Sequence, residues 1–393
     1  MGRLHTQNAL ERVHRFINAL ERVLNCSSAA SARSGEHAEI YATSTLQHCA
    51  SKLRTVATDV TLIRAMDRVS IIIVSFNTCA LLRACLASLR ACTLPLRIIV
   101  VDNASHDGSA AMVRAEFPEV ELLEPGQNLG FAGANNLALR TVLSDEFLVL
   151  SEGNFNSKFK TQNSTLGYVL LLNPDTVVHA GAIEAMVAFL DLHPRVGVVG
   201  PRLLNPGGSL QSAAFRFPTL SMTALDLFPP GEVLPGRLDN SWWHGRYPQE
   251  QAGNAPFPID HPLGACMLVR RDVIAQVGVF DEAFFMYAEE VDWCFRMRAA
   301  GWAIWQVPVA QVTHVGGAAT SQVRATMLIA LYASRMRFFR KHYQPGFVRW
   351  NQLIVRLGML RATTRAWCAY ARGTLPRAAL REQLWAFGRV FQQ

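Results

Sequence analysis

The densest chemistry in the chain lies in Phe284-Phe285-Met286-Tyr287-Ala288-Glu289-Glu290-Val291-Asp292-Trp293, where three carboxylates fall within four residues among aromatic rings. On a helix, Glu289 and Asp292 are i, i+3 neighbours on one side and Glu290 points elsewhere. Like charges in an aromatic surround raise carboxylate pKa values, which suits a general base. The same acids also read as a helix N-terminus favoured by the dipole, with Arg296 and Arg298 placed to neutralise part of the cluster.

Other polar residues follow apolar runs. Asn173-Pro174-Asp175 succeeds YVLLL, and His314-Val315-Gly316-Gly317 succeeds WAIWQVPVAQVTH. An acid just past a buried strand suits a hard cation such as Mg²⁺ or Mn²⁺, which takes one or two carboxylates plus substrate phosphates; a turn-capping Asp is the plainer alternative. A lone His is usually structural, but two glycines at a strand end also fit a metal or phosphate role. Ser75-Phe76-Asn77 and Asp102-Asn103-Ala104-Ser105 close two further strands. There Asp102 can accept from a base N–H or a ribose hydroxyl, or form a turn ahead of an N-cap at Ser109. Asn128-Leu129-Gly130-Phe131-Ala132-Gly133-Ala134-Asn135-Asn136 is a Gly/Asn-rich turn opening a helix. Its N–H groups can face phosphate, although the spacing is not the dinucleotide fingerprint G-x-G-x-x-G.

The elements that must position these residues begin at Val69. The patterning predicts strands at 69–75, 97–102, 120–124, 168–173 and 196–200, and helices at 81–90, 109–117, 134–143 and 181–193. The apolar β-branched run VSIIIVS is that of a strand buried on both faces. The βαβα order predicts an α/β, Rossmann-like, mostly parallel sheet with helices on both faces, and ligands at the carboxyl ends of its strands. The polar segment 151–167 reads as a loop, and the Pro/Gly-containing 201–262 shows no strong period. Residues 1–68 read as a helix followed by poorly ordered chain. Asn8–Val13 recurs as Asn18–Val23, but a ten-residue shift turns a helix by about 1000° and does not restore a face. Met66 precedes the first strong strand, so the first 65 residues are expected to be dispensable.

Of the 393 residues, 50% are hydrophobic and 17% charged, which supports a sizeable core and excludes wholesale disorder. No apolar run reaches the length of a membrane span, and no secretory signal is visible at the N-terminus. The 8 cysteines never form C-x-x-C, so reduced thiols in the cytoplasm are expected rather than a zinc or redox site. Charge is uneven: from Thr320 onward the only acid among the basic residues is Glu382, giving +12 against +8 for the whole chain. Such a tail suits anionic lipid, nucleic acid or an acidic substrate. On a helical wheel of 349–372, Trp350, Leu353, Ile354, Leu357, Leu360 and Trp367 share a face edged by Arg349, Arg356, Arg361, Arg365 and Arg372. That is the pattern of an interfacial helix, or of a helix packed on the domain before it.

Taken together, the blocks VSIIIVSFN, VVDNASHDGS, NLGFAGANN, LLNPDT, GACMLVRR, FDEAFFMYAEEVDWCFR, HVGG and SRMRFFRKHY resemble glycosyltransferase family 2, the inverting enzymes of GT-A fold, and within it the rhamnosyltransferase-like branch. The resemblance runs from about Val69 to His342. It implies a GT-A domain at 69–320, with an acceptor side at 201–262 and basic amphipathic helices at 321–393. It also implies a base at Glu290 with Glu289 and Asp292 orienting it or the acceptor, and a Mg²⁺ or Mn²⁺ site at Asp175 and His314. Donor and substrate contacts would come from Ser75, Asn77, Asp102, Asn103, Asn128, Gly130, Asn135, Asn173 and Arg296. Asn173 stands where the family's D-x-D motif has its first acid, and the 151–167 segment falls where relatives are short. The implied partners are a nucleotide-diphosphate sugar, with dTDP-rhamnose expected, and a surface-glycan or lipid-linked saccharide. An anionic membrane surface on the cytoplasmic side is expected too, and no nucleic acid. Two alternatives are a sugar-1-phosphate nucleotidyltransferase, whose Gly-rich N-terminal loop VSFNTCALL lacks, and a non-catalytic glycan-binding protein.

Overall fold

The computed structural model describes residues 69–151, 167–229, 241–316 and 324–393. The 1–68 extension, Met66 and all but the ends of the 151–167 segment lie outside them.

The run from Val69 alternates between two cores. Strand β1 (Val69–Ser75) turns Val69, Ile71 and Ile73 to one side and Ile72 to the other. On the first side lie helices α1 (Cys79–Leu89), α2 (Ser109–Glu116) and α4 (Ala182–Leu192). On the second lie α3 (Gly130–Ser151), α6 (Arg271–Val277) and α7 (Glu289–Ala299). A strand apolar on both faces needs helices on both. Fully buried Trp293 of α7 fills the second core and donates its indole N–H to Gly278 O at 2.7 Å.

The sheet order is β3-β2-β1-β4-β11-β6-β12-β5. Its strands are β2 (Leu96–Asp102), β3 (Glu121–Leu123), β4 (Tyr168–Leu172), β5 (Thr176–Val178), β6 (Val196–Leu204), β11 (Cys266–Arg270) and β12 (Ala303–His314). β3, β2, β1, β4, β6 and β12 run one way; β11 and β5 run against them. The sheet is therefore mostly parallel, and Ser75, Asp102, Leu172 and His314 end their strands on one edge.

Several boundaries differ from the sequence reading. β6 continues beyond Gly200 to Leu204, carried by its long pairing with β12. Helix α3 starts at Gly130 rather than Ala134, so the Gly/Asn-rich turn is largely the helix's own first turn. The 201–262 region, without a visible period, holds β7 (Leu210–Gln211), β8 (Ala214–Phe215), α5 (Leu220–Leu227), β9 (Phe257–Pro258) and β10 (His261–Pro262). Three helices close the chain: α8 (Arg324–His342), α9 (Pro345–Ala371) and α10 (Arg377–Phe391). No helix among the described residues is long and apolar enough to cross a membrane.

Candidate active site

At the end of β12, antiparallel pairing with β5 sets His314 opposite Thr176, beside buried Asp175. Asp175 Oδ1 lies 3.4 Å from His314 Nε2, and Oδ2 accepts from Gly316 N at 3.1 Å. His314 Nδ1 lies 2.7 Å from Gln211 Oε1, while Gln211 Nε2 donates to Asn205 Oδ1. An amide oxygen only accepts, so Nδ1 donates to Gln211 and Nε2 is the ring nitrogen turned toward the carboxylate. A carboxylate oxygen and an imidazole nitrogen directed at one point are both ligand types for a divalent cation, so the pair suits one. Asp175 and His314 are only two such residues; no group of three or more His, Cys, Asp or Glu able to hold a metal occurs among the described residues. Gln211, which orients the imidazole, carried no signal in the sequence.

Helix α7 delivers the acids. Its start follows Tyr287 and Ala288 at φ of 69° and 62°. Consecutive left-handed non-glycine residues cost of order 1–3 kcal/mol each and are held only where the surroundings over-determine them. Here Ser334 Oγ of α8 donates to Met286 O at 2.7 Å. Phe131 N donates to Phe285 O at 2.9 Å, which requires Gly130 to lie against that carbonyl. Gly130 has φ 71°, and a Cβ there would sit 2.5 Å from Phe285 O.

The three acids have different environments. Asp292 is fully buried and receives Arg296 Nε at 2.9 Å, Lys341 Nζ at 2.7 Å and His342 Nε2 at 2.7 Å. Burial alone would raise its pKa; hydrogen bonds from Lys341, His342 and Arg296 override that and hold it below the ordinary carboxylate value. Glu289 is buried, and Oε2 of both Glu289 and Glu290 has no hydrogen-bond partner among the described residues. Burial, then the charge of Glu290, pushes Glu289 well above the ordinary value; burial raises Glu290 as well. Glu290 is half-buried and packs against Gly264, while the adjoining Ala265 O accepts from Asn173 N at 2.8 Å. The 264–265 turn thus links the Glu290 carboxyl to the Asn173–Asp175 turn.

Several residues expected at the donor are engaged within the protein. Buried Ser75 pairs its hydroxyl with Thr78 at 2.9 Å. Asn77 Oδ1 accepts from His106 N, latching the loop after β2. Asn103 bridges Asn128 Oδ1 and Leu129 N, and Asn135 Nδ2 donates back to Phe131 O. Arg296 is turned inward: besides Asp292, it donates to Val277 O and Val279 O, so its guanidinium braces α7. Buried Asp102 uses Oδ1 for Ser105 N at 3.1 Å, which leaves Oδ2 for a ligand at the strand end.

A mostly parallel sheet with a carboxylate–imidazole pair and an unpartnered acid at one edge is the framework of a glycosyltransferase. The chain belongs to the family described as Glycosyl transferase family 2, whose model matches residues 70–278. It is 30% identical over 312 residues to the N-acetylglucosaminyl-diphospho-decaprenol L-rhamnosyltransferase of Mycobacterium tuberculosis, covering 76% of this chain and 96% of that one. The low-salt glycan biosynthesis hexosyltransferase Agl10 of Haloferax volcanii is 27% identical over 216 residues, 55% of this chain and 58% of that one. Among solved structures, a mannosyltransferase of Pyrobaculum calidifontis in complex with GDP-Man and Mn²⁺ has a TM-score of 0.45 at 16% identity, covering 82% of this chain and 84% of that one. Family membership sets aside the nucleotidyltransferase and non-catalytic readings.

Proposed function

We propose that this glycosyltransferase moves rhamnose from a nucleoside-diphosphate donor to a lipid-linked saccharide, with inversion at the anomeric carbon and Glu290 as base. The observation that carries the reading is the Glu290 carboxyl, desolvated and without a partner at Oε2, tied through Gly264 and Ala265 to the Asp175 turn. Raised above the ordinary carboxylate range by burial, it holds a proton more tightly and so takes one more readily. The acceptor hydroxyl gives its proton to Glu290 and its oxygen bonds to the anomeric carbon. The bond from that carbon to the diphosphate oxygen breaks in the same displacement. No covalent enzyme intermediate is needed.

Asp175 Oδ1 and His314 Nε2 are the groups that would hold Mg²⁺ or Mn²⁺, with phosphate oxygens completing the coordination. When bound, the cation supplies charge neutralisation for the departing diphosphate. With Asn173 in place of an acid the site has one fewer carboxylate, so Asn173→Asp should tighten cation binding. Asp102 Oδ2 would accept from a base N–H or a ribose hydroxyl of the donor. The sugar and the acceptor class rest on the 30% identity to the mycobacterial rhamnosyltransferase.

The test is a transfer assay with radiolabelled dTDP-rhamnose, UDP-N-acetylglucosamine and GDP-mannose, each with an N-acetylglucosaminyl-diphospho-polyprenol. Label should pass to lipid from dTDP-rhamnose and need added divalent cation. Transfer from another donor alone would overturn the sugar; equal transfer in chelator would overturn the metal.

A further inference from the structure

Helix α9 is apolar on two opposite faces, and the described residues cover only one. Asn351, Val355, Gly358, Met359 and Ala366 are buried. Gly358 lies so close to α5 that a Cβ would meet Leu227 at 2.8 Å, and Asn351 Nδ2 donates to Thr223 Oγ1 at 2.8 Å. The opposite face remains open: Trp350, Leu353, Leu357, Leu360 and Trp367 are 61, 44, 49, 52 and 51% exposed. Ile354, at the border, is half-buried. At 100° per residue these five fall within an arc of about 100°, and from Trp350 to Trp367 they run about 25 Å along the axis.

Charge says what covers this face. Helix α9 carries no Asp or Glu. Arg349 and Arg356 follow one edge of the arc, and Arg361, Arg365 and Arg372 the other; of these Arg356 also donates to Phe391 O and Arg361 to Leu227 O. A protein partner would need no such one-signed frame. A bilayer does: tryptophan and leucine enter the acyl boundary while arginines on both flanks reach anionic head groups.

We infer that the outer face of α9 is a docking surface for an anionic lipid bilayer, with Trp350, Leu353, Leu357, Leu360 and Trp367 as the inserted stripe. The assignment does not depend on the donor or the acceptor.

The experiment is flotation of the full chain with vesicles of phosphatidylcholine alone or with roughly a third phosphatidylglycerol, at about 0.1 M salt. The wild type should float with the anionic vesicles and sediment from the neutral ones. Trp350→Ser/Leu357→Ser/Leu360→Ser, whose side chains touch water already, should keep its melting temperature and bind at least roughly tenfold more weakly. Arg349→Glu/Arg372→Glu should lose a similar factor through charge alone. Equal binding to both vesicles, no binding to either, or undiminished flotation of the triple variant would overturn the proposal. So would a wild-type dimer that the triple variant converts to monomer, which would make a second copy the occupant.

Discussion

His314 turns Nε2 toward Oδ1 of Asp175 at 3.4 Å because Gln211 holds the opposite ring nitrogen at 2.7 Å. That contact fixes the ring's orientation before any ligand arrives. Removing the acceptor at 211 frees the ring to flip and the proton to move. Gln211→Leu should weaken Mn²⁺ binding roughly 10–100-fold, as loss of an outer-shell partner does at histidine sites. Calorimetric titration of Mn²⁺ in the presence of nucleoside diphosphate checks this without turnover. Asp175→Ala should abolish the cation dependence of nucleotide binding in the same titration.

Gly130, the first residue of α3, is the contact through which that helix fixes the loop before α7. Gly130→Ala adds a Cβ at 2.5 Å from a backbone oxygen, in a backbone conformation that L residues rarely adopt. Strain and displacement together should cost about 2–4 kcal/mol. Thermal melting should show a lower midpoint, and activity should fall as Glu290 shifts with the loop.

Asp292 ties α7 to α8. Its pKa is depressed in the fold, so its stabilisation is fully present above the unfolded value of about 3.9 and is lost as pH falls through the lower folded value. Asp292→Asn should cost roughly 1–3 kcal/mol at neutral pH, because the hydrogen bonds from Arg296, Lys341 and His342 lose their charged acceptor. The acid limb of the stability curve should flatten in the variant. Urea unfolding at pH 3 to 7 measures both.

Glu289 behaves in the opposite sense. Burial and Glu290 raise its pKa, so the native state binds more protons and stability declines as pH rises above the unfolded value of about 4.3. Glu289→Gln should stabilise the protein at pH 7 to 8 and reduce that decline, while leaving more activity than substitution at 290. Melting temperatures across pH 5 to 9 decide it.

The β1–α1–β2 start was legible because each apolar run has a single period and a polar stop. Strand β11 was not: CMLVR appeared only as a family block, and its antiparallel place between β4 and β6 depends on pairing partners about 70 to 100 residues away. The Asn-rich strand ends were legible as polar clusters. That Asn77, Asn103 and Asn135 hold the loops rather than stand free is set by which carbonyls and amides the fold brings near. Arg296 was expected at the substrate, yet one helical turn places it on Asp292. Gln211 sits in a stretch without period, and only the β6–β7 pairing carries it to His314. In α9 the sequence displays an apolar stripe but not which side the domain covers.

The central claim is that Glu290 takes the acceptor proton, and side-by-side kinetics of Glu290→Gln and Glu289→Gln with donor-binding titrations test it most directly. Glu290→Gln should lose roughly 10²–10⁴-fold in kcat with donor affinity unchanged. Wild-type activity should rise with pH through an apparent pKa above the ordinary carboxylate range. A Glu290→Gln enzyme turning over near the wild-type rate, or an unchanged pH profile in that variant, would contradict the account.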